Sequence, residues 1–420
     1  MKASTQEFKI SVQGLRVGMY VSRLDRPWLT TRFALEGFMV NSEEDVREIQ
    51  RLCHFVFVDA SRGASPDPRF LQIDPAEAKS GADPVEAKLE YDALRKKVWQ
   101  NTASFDEELP RAKLVQSQIK DNISEVMRDL QEGKNLQLDK LREGVNAMVE
   151  SITRNPSAFN WLKEIKRKDN YAYHHALACS VWAASFGRHL GLNRDEIGEL
   201  TLAGLLFDVG KTRVDSQILI TRKTYDDHDH QTMRKHVQYG LDILSEAEGV
   251  GVSERILQAV ATHHERHNGS GYPQGLANGS IPMFGRILGL IDSYDAMTSI
   301  RPHMNSRSPH QAVMQLYESR DKLFQAELVE QFIQTSGIYP TGSLVELTDG
   351  RVGVVTAVHS LKRLRPTVML LLDKEKRPLP EFRPLDLGAM ADEYDSVSLG
   401  IKSGLPQGAY GIDPAELFID

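Results

Sequence analysis

Residues 253–276 read SERILQAVATHHERHNGSGYPQGL, and this stretch decides the architecture of the chain. Ser253 is placed to cap a helix, and Ile256 and Val260 fall on one inward stripe at helical spacing. The helix ends in the adjacent pair His263 and His264, followed by a glycine-rich turn. Two imidazoles at the end of an apolar stripe raise the question of what else faces them.

Four other helical segments each deliver a potential metal ligand from an inward stripe. One sets His175 among Ala178, Cys179, Trp182 and Phe186. A second starts at Asn193, with Glu196 three residues later as a capping box, and stacks Ile197, Leu205 and Asp208; Gly210 reads as its C-terminal glycine. A third carries His236 among Met233, Val237, Gly240 and Leu244. The fifth segment of the set puts Asp292 on the stripe of Leu288 and Asp295. One inward histidine is usually a satisfied core residue. Five ionisable stripes in one helical domain are different, because burying that many imidazoles and carboxylates without pairing or a cation would cost several kcal/mol each. Imidazole with carboxylate suits Fe, Mn, Zn or Ni. A carboxylate such as Asp208 can bridge two metals, and two metals about 3.5–4 Å apart clamp a phosphoryl group and activate a water.

The whole chain frames that helical domain. Eleven of the thirteen histidines lie between His174 and His310. The 420 residues suit two or three domains, and 41% hydrophobic with 26% charged residues fits an ordinary folded protein. A net charge of −7 excludes a generally basic nucleic-acid binder. Cys53 and Cys179 cannot make a disulfide framework. No apolar run reaches membrane-spanning length, and the N-terminus lacks a signal-peptide apolar region. A cytoplasmic protein is expected.

Outside the helical domain the patterns change. Phe8, Ile10 and Val12 alternate as a strand, Ser42 with Asp45 caps a short helix carrying Val46 and Ile49 inward, and Phe55–Val58 reads as a closing strand. Pro66, Pro68, Pro75 and Pro84 with Gly63 and Gly81 give a linker composition. Val115, Ile119, Ile123, Val126, Met127 and Leu130 form one helical stripe, and Leu141, Val145, Met148, Val149 and Ile152 another; these pack either a core or a dimer seam. Past Pro340 the period becomes two: Leu344–Leu347, an Asp349-Gly350 turn and Val352–Val358 read as a hairpin, with Val368–Leu372 as a further strand. The last thirty residues show little periodicity. GLLFDVGKT at 204–212 is not a P-loop, since five residues separate the glycines where four are needed, and it ends a helix instead of following a strand.

The blocks DNYAYHHALACS (169–180), LLFDVGKTRVDSQIL (205–219), KHVQYGLDIL (235–244), HHERHNGSGYPQGL (263–276) and RILGLIDSYDAMTSIRP (286–302) resemble, in order, an HD-GYP domain, the bacterial branch of the HD metal-dependent phosphohydrolases. The α/β unit resembles the domain of unknown function that often precedes such domains, and the hairpin one that often follows. The expected organisation is therefore multi-domain and mainly α: a small α/β domain at 1–62, a linker at 63–84, a helical connector at 85–168, the HD-GYP domain at 169–335, a β-rich appendage at 336–390 and a tail at 391–420.

The resemblance implies an all-helical core holding two or three divalent transition metals, most often iron, with manganese the other choice, and hydrolysis of cyclic di-GMP to pGpG or GMP. His175, Asp208, His236, His263, His264 and Asp292 match ligand positions, with Asp208 the carboxylate shared by two metals. Lys211 matches a lysine that approaches the substrate phosphate or the attacking water, and Arg301 a phosphate-contacting arginine. Gly271, Tyr272 and Pro273 are the GYP triplet. Three positions depart from the pattern: Phe207 stands where a histidine ligand is expected, Asn268 where aspartate is, and Met304 where a basic residue is. The site of His175, Asp208 and Asp292 would then hold three protein ligands, while Asp208, His236, His263 and His264 keep a full set. The alternative implied is a catalytically degenerate cyclic di-GMP receptor or interaction module, whose protein partners would be GGDEF-type diguanylate cyclases. No nucleic-acid or membrane partner is expected.

Overall fold

The computed structural model describes residues 7–25, 38–60, 62–70, 99–164, 171–220, 225–247, 252–299, 307–358, 364–389, 399–406 and 408–412. The chain divides into two compact units, Met1–Pro84 with His359–Leu364, and Val85–Val358 with Arg365–Asp420.

In the first unit, strands β1 (Glu7–Ser11), β2 (Tyr20–Leu24), β3 (Phe38–Met39) and β4 (Phe55–Asp59) form an antiparallel sheet in the order β1-β4-β2-β3. The register sets Ile10 opposite Val56 and Val21 opposite Val58, and all four are fully buried. Helix α1 (Glu43–Leu52) starts at the expected Ser42–Asp45 capping box and buries Val46 and Ile49. The opening residues of the expected linker are held by this unit: Ala64 N donates to Gly18 O (2.7 Å), and Arg16 pairs with Asp67. Residues 71–84 of that linker lie outside the described residues.

The second unit is helical and ends in a sheet. Helices α2 (Phe105–Gln131) and α3 (Leu138–Arg154) pack on each other, and α3 packs in turn on α4 (Pro156–Glu164), α5 (Tyr171–His189) and α6 (Arg194–Leu206). Leu141, Val145, Met148, Val149 and Ile152 are all buried, so the α3 stripe packs a core. The α2–α3 pair is locked by Glu108, fully buried yet satisfied by Ser151 Oγ and the Arg154 guanidinium. The remaining helices are α7 (Ser216–Ile220), α8 (Asp227–Arg234), α9 (His236–Ser245), α10 (Glu254–Thr262), α11 (Met283–Thr298), α12 (Pro309–Glu318) and α13 (Ala326–Ser336). Trp182 from α5, Tyr294 from α11 and Phe332 from α13 meet at ring-centroid distances of 5.1–5.3 Å, an aromatic floor that fixes α5 against α11.

One expectation is corrected here. Gly210 does not end α6, which stops at Leu206; it lies in a 3-10 turn, Val209–Arg213. A Cβ at Gly210 would collide with the His236 carbonyl and Gly240 N, so glycine serves close approach of this turn to α9 and not a left-handed cap. The unperiodic tail also contributes structure. Strand β9 (Ile401–Gly404) pairs with β5 (Leu344–Leu347), completing a sheet ordered β8-β7-β6-β5-β9 with β6 (Val352–Ala357), β7 (Thr367–Leu372) and β8 (Pro378–Asp386). The expected hairpin and third strand are present, around a core of Leu344, Val352, Val354, Leu371 and Leu372.

Candidate metal centre

Each candidate ligand is delivered by a helix end or an inward helical face. Ser253 caps α10 as expected, and the helix runs out at Thr262, leaving His263 at its C-terminal cap. His236 opens α9 immediately after the last turn of α8. His263 and His236 are buried to 1% exposure or less. Their Nδ1 atoms lie against backbone carbonyls, His236 on Met233 O at 2.6 Å and His263 on Val260 O at 2.7 Å. A carbonyl only accepts, so both protons sit on Nδ1 and both Nε2 atoms present lone pairs. Those lone pairs face each other at 3.5 Å, and His264 Nε2 lies 3.2 Å from His236 Nε2.

Asp208, in the turn after α6, spans this cluster and its neighbour. Its Oδ1 is 3.4 Å from His236 Nε2, and its Oδ2 is 3.5 Å from His175 Nε2. Asp292 Oδ1 on α11 is 3.2 Å from the same His175 Nε2, while Asp292 Oδ2 is 3.8 Å from His264 Nδ1. Asp208 Oδ1 is buried and, among the described residues, has no hydrogen-bond partner. Three imidazole nitrogens and an orphaned carboxylate oxygen converging in a buried space are a cation's ligand set, and Asp208, His236, His263 and His264 offer atoms all within 4.8 Å of one another. The donor chemistry fits a divalent transition metal.

The electrostatics agree. Burial holds His236 and His264 below the ordinary imidazole value and His263 down to about 4, so all three stay neutral, as ligands must be. Burial works against ionising Asp208, but Lys211 and the histidines His175 and His236 outweigh it and hold the carboxyl well below its usual range. Asp292 is held low in the same way by His175 and His264. Burial also opposes charge on His175, yet its surrounding carboxylates prevail and raise it well above 6.5. Cys179 beside it stays a thiol, pushed by burial up to about 12.

Lys211 Nζ donates to Asp208 Oδ2. Gly271 and Tyr272 fold back on the histidine pair: Tyr272 N donates to His264 O, the Tyr272 ring stacks on the His264 ring at 4.6 Å, and a Cβ on Gly271 would collide with the His264 carbonyl. Pro273 follows Tyr272 in a loop clamped by Glu265, whose carboxylate accepts from Gln274 N (2.7 Å) and Leu276 N (3.0 Å). The ring of Phe207 is buried edge-on to His175 (5.6 Å) and His263 (4.9 Å). Asn268 Oδ1 accepts from Ser270 N at 3.1 Å. Arg301 and Met304 lie outside the described residues.

Two supporting residues escaped the sequence reading. Asp295, seen there only as part of a stripe, has Oδ2 2.8 Å from His175 Nδ1 and accepts from Ser299 Oγ at 2.9 Å. Its spacing of three from Asp292 was the available signal. Arg266 Nη1 donates to the His263 and Glu265 carbonyls and braces the histidine turn; nothing in the sequence marked it.

The site is a histidine–carboxylate centre, and the segment that carries it matches a family model. Residues 157–328 match the HD domain, 7–141 a domain of unknown function (DUF3391), and 344–391 a KOW domain associated with HD domain. The chain is 30% identical over 415 residues to a cyclic di-GMP phosphodiesterase of Pseudomonas aeruginosa, covering 97% of this chain and 92% of that one. With that relative, the chain belongs to the HD-GYP family. It is also 31% identical over 179 residues to a cyclic di-GMP phosphodiesterase of Thermotoga maritima (42% of this chain, 47% of that one). A 3'3'-cGAMP-specific phosphodiesterase of Vibrio cholerae is 28% identical over 217 residues (50% and 41%). The solved structure of a Bdellovibrio bacteriovorus HDG"Y"P protein aligns with a TM-score of 0.46 at 14% identity, over 78% of this chain and 98% of that one.

Proposed function

We propose that the protein is a metal-dependent phosphodiesterase that hydrolyses cyclic di-GMP to pGpG or GMP, with activity weakened at one metal position. The observation that carries this reading is the convergence of the His236, His263 and His264 Nε2 atoms on the unpartnered Asp208 Oδ1. The near full-length relative of that activity supports the substrate. A divalent transition metal, iron foremost and manganese second, would supply Lewis acidity toward a phosphoryl oxygen and an attacking water.

The chain's own residues do the rest. Asp208, His236, His263 and His264 would hold one cation, and His175 and Asp292 with Asp208 would hold a second. Phe207 offers no ligand atom, so the second position has three protein ligands and binds more weakly. Lys211, paired with Asp208, steadies the phosphate or the water, and Arg301 holds the phosphate. Gly271, Tyr272 and Pro273 form the wall against which the substrate lies. In hydrolysis the water oxygen bonds to phosphorus, the phosphorus–O3' bond breaks, and the water proton ends on the departing 3' oxygen.

A cytoplasmic location belongs to the same proposal, supported by two free cysteines and, among the described residues, no helix long and apolar enough to cross a membrane. Partnership with GGDEF-type proteins and a homodimer rest on the family resemblance alone. Product chromatography of anaerobically purified protein, with and without chelator and metal, tests the reading. Turnover lost with chelator and restored by iron or manganese is expected. Tight cyclic di-GMP binding without product at every metal loading would establish the receptor alternative instead.

A further inference from the structure

Arg234 closes α8, two residues before His236. It is exposed, and its guanidinium lies over the Tyr272 ring at 4.8 Å. Tyr272 in turn packs on His264 at 4.6 Å with the rings 25° apart. Among the described residues, Arg234 makes no ion pair and donates no side-chain hydrogen bond. The contrast with the other cations here is plain, since Lys211 is committed to Asp208, and Arg266 is spent on backbone carbonyls. An arginine held in place by a ring while its N–H donors remain free is preorganised for a planar, bidentate anion.

Its position selects which anion. The reacting phosphate must lie where the imidazole Nε2 atoms and Asp208 converge. Arg234 is joined to this cluster through the Tyr272 ring and makes no hydrogen bond or ion pair with it, which suits a different phosphate. A cyclic dinucleotide carries a second phosphodiester across its ring. We infer that Arg234 binds the non-reacting phosphate of the cyclic dinucleotide and so selects two-phosphate substrates over simple diesters. This rests on the phosphodiesterase reading above, and it adds a residue to substrate recognition outside the metal set.

The experiment compares parent, Arg234→Ala and Arg234→Lys as full chains with matched metal content. For cyclic di-GMP, Arg234→Ala should raise KM and Kd about 10- to 100-fold, the range for losing one charge-assisted contact, with kcat within about twofold. Arg234→Lys should recover part of the loss. On bis-p-nitrophenyl phosphate, which has one phosphate, the parent and Arg234→Ala should have the same kcat/KM. A phosphate contact also predicts an equal fold-loss for 3'3'-cGAMP. An unchanged KM for cyclic di-GMP, an equal loss on the small diester, or a loss confined to one base composition would each overturn the inference while the phosphodiesterase reading stands. A parent that neither binds nor cleaves cyclic di-GMP would overturn both.

Discussion

Replacing Phe207 by histidine tests the least ordinary feature of the site. Phe207 is 1% exposed, and its ring stands 5.6 Å from His175 and 4.9 Å from His263. An imidazole put there without a cation is a buried polar group without a provided partner, at a cost of about 1–3 kcal/mol. For a domain of this size each kcal/mol moves Tm by roughly 2–4 °C, so chelator-treated Phe207→His should melt about 2–12 °C below the chelator-treated parent. If position 207 faces the second cation, the new imidazole becomes a ligand and the sign reverses with metal. Free metal at a hundredfold excess over Kd returns about 2.7 kcal/mol through the native state alone. The metal-induced rise in Tm should therefore be larger in Phe207→His than in the parent, and elemental analysis should find higher occupancy of the second metal. Scanning calorimetry of both proteins, with chelator and with anaerobic iron or manganese, reads all of this. Equal metal-induced shifts in the two proteins would refute the assignment of Phe207 to a lost ligand position.

Asp208→Asn, which keeps the shape and removes the charge, should lower turnover at least about 100-fold and strip bound metal; metal content equal to the parent's would remove Asp208 from the ligand set. Asp295→Asn should weaken the cation at His175 by about 10- to 100-fold, measured by chelator competition, while the thermal stability of the chelated protein changes little; the reverse pattern would make Asp295 purely structural. Metal-free protein should lose stability as pH falls from 6.5 toward 4. Burial depresses His236, His263 and His264, so their contribution is complete above the unfolded value and lost as the native state is forced to take up protons, His263 at about 4. His175, raised by its carboxylates, has the opposite sign, its contribution being full below 6.5 and lost as pH rises through its raised value. Urea titrations across this range check the balance, and stability that rises on acidification would show that the three histidines are not held neutral.

Much of the centre was legible because helices announce their inward faces locally. The caps at Ser42, Asn193 and Ser253 and the stripes carrying His175, Asp208, His236, His263 and Asp292 each need only a few neighbouring residues to be read. What stayed hidden depends on a partner distant in the chain. Gly210 reads locally as a helix stop, and only the crossing of α9 shows that the His236 carbonyl requires it. β9 exists because β5, some sixty residues earlier, offers an open edge, and β8, with Pro378, Pro380 and Pro384 on the opposite edge, carries no clean alternation.

The departures from the family pattern show why a mismatch must be weighed by chemistry. Asn268 and Phe207 both replace an expected residue, and in sequence they count alike. Asn268 keeps a carbonyl oxygen where the aspartate would have had one, and that oxygen accepts from Ser270 N as a carboxylate would. Asn268 N still donates to Lys322 O, and the loop still closes through the bridge to Ala277. The turn that brings Gly271 onto the His264 carbonyl therefore survives the exchange. Phe207 offers a ring of a size comparable to the imidazole expected there and no lone pair. The ring fills the space between His175 and His263, which preserves the packing of α5 against α6 and leaves His175 facing Asp208 and Asp292. The first exchange conserves the hydrogen bond and the second conserves only the shape. Of these two exchanges, loss of function should therefore follow position 207: Asn268→Asp should leave metal content and turnover within about twofold of the parent, because both side chains cap the same turn.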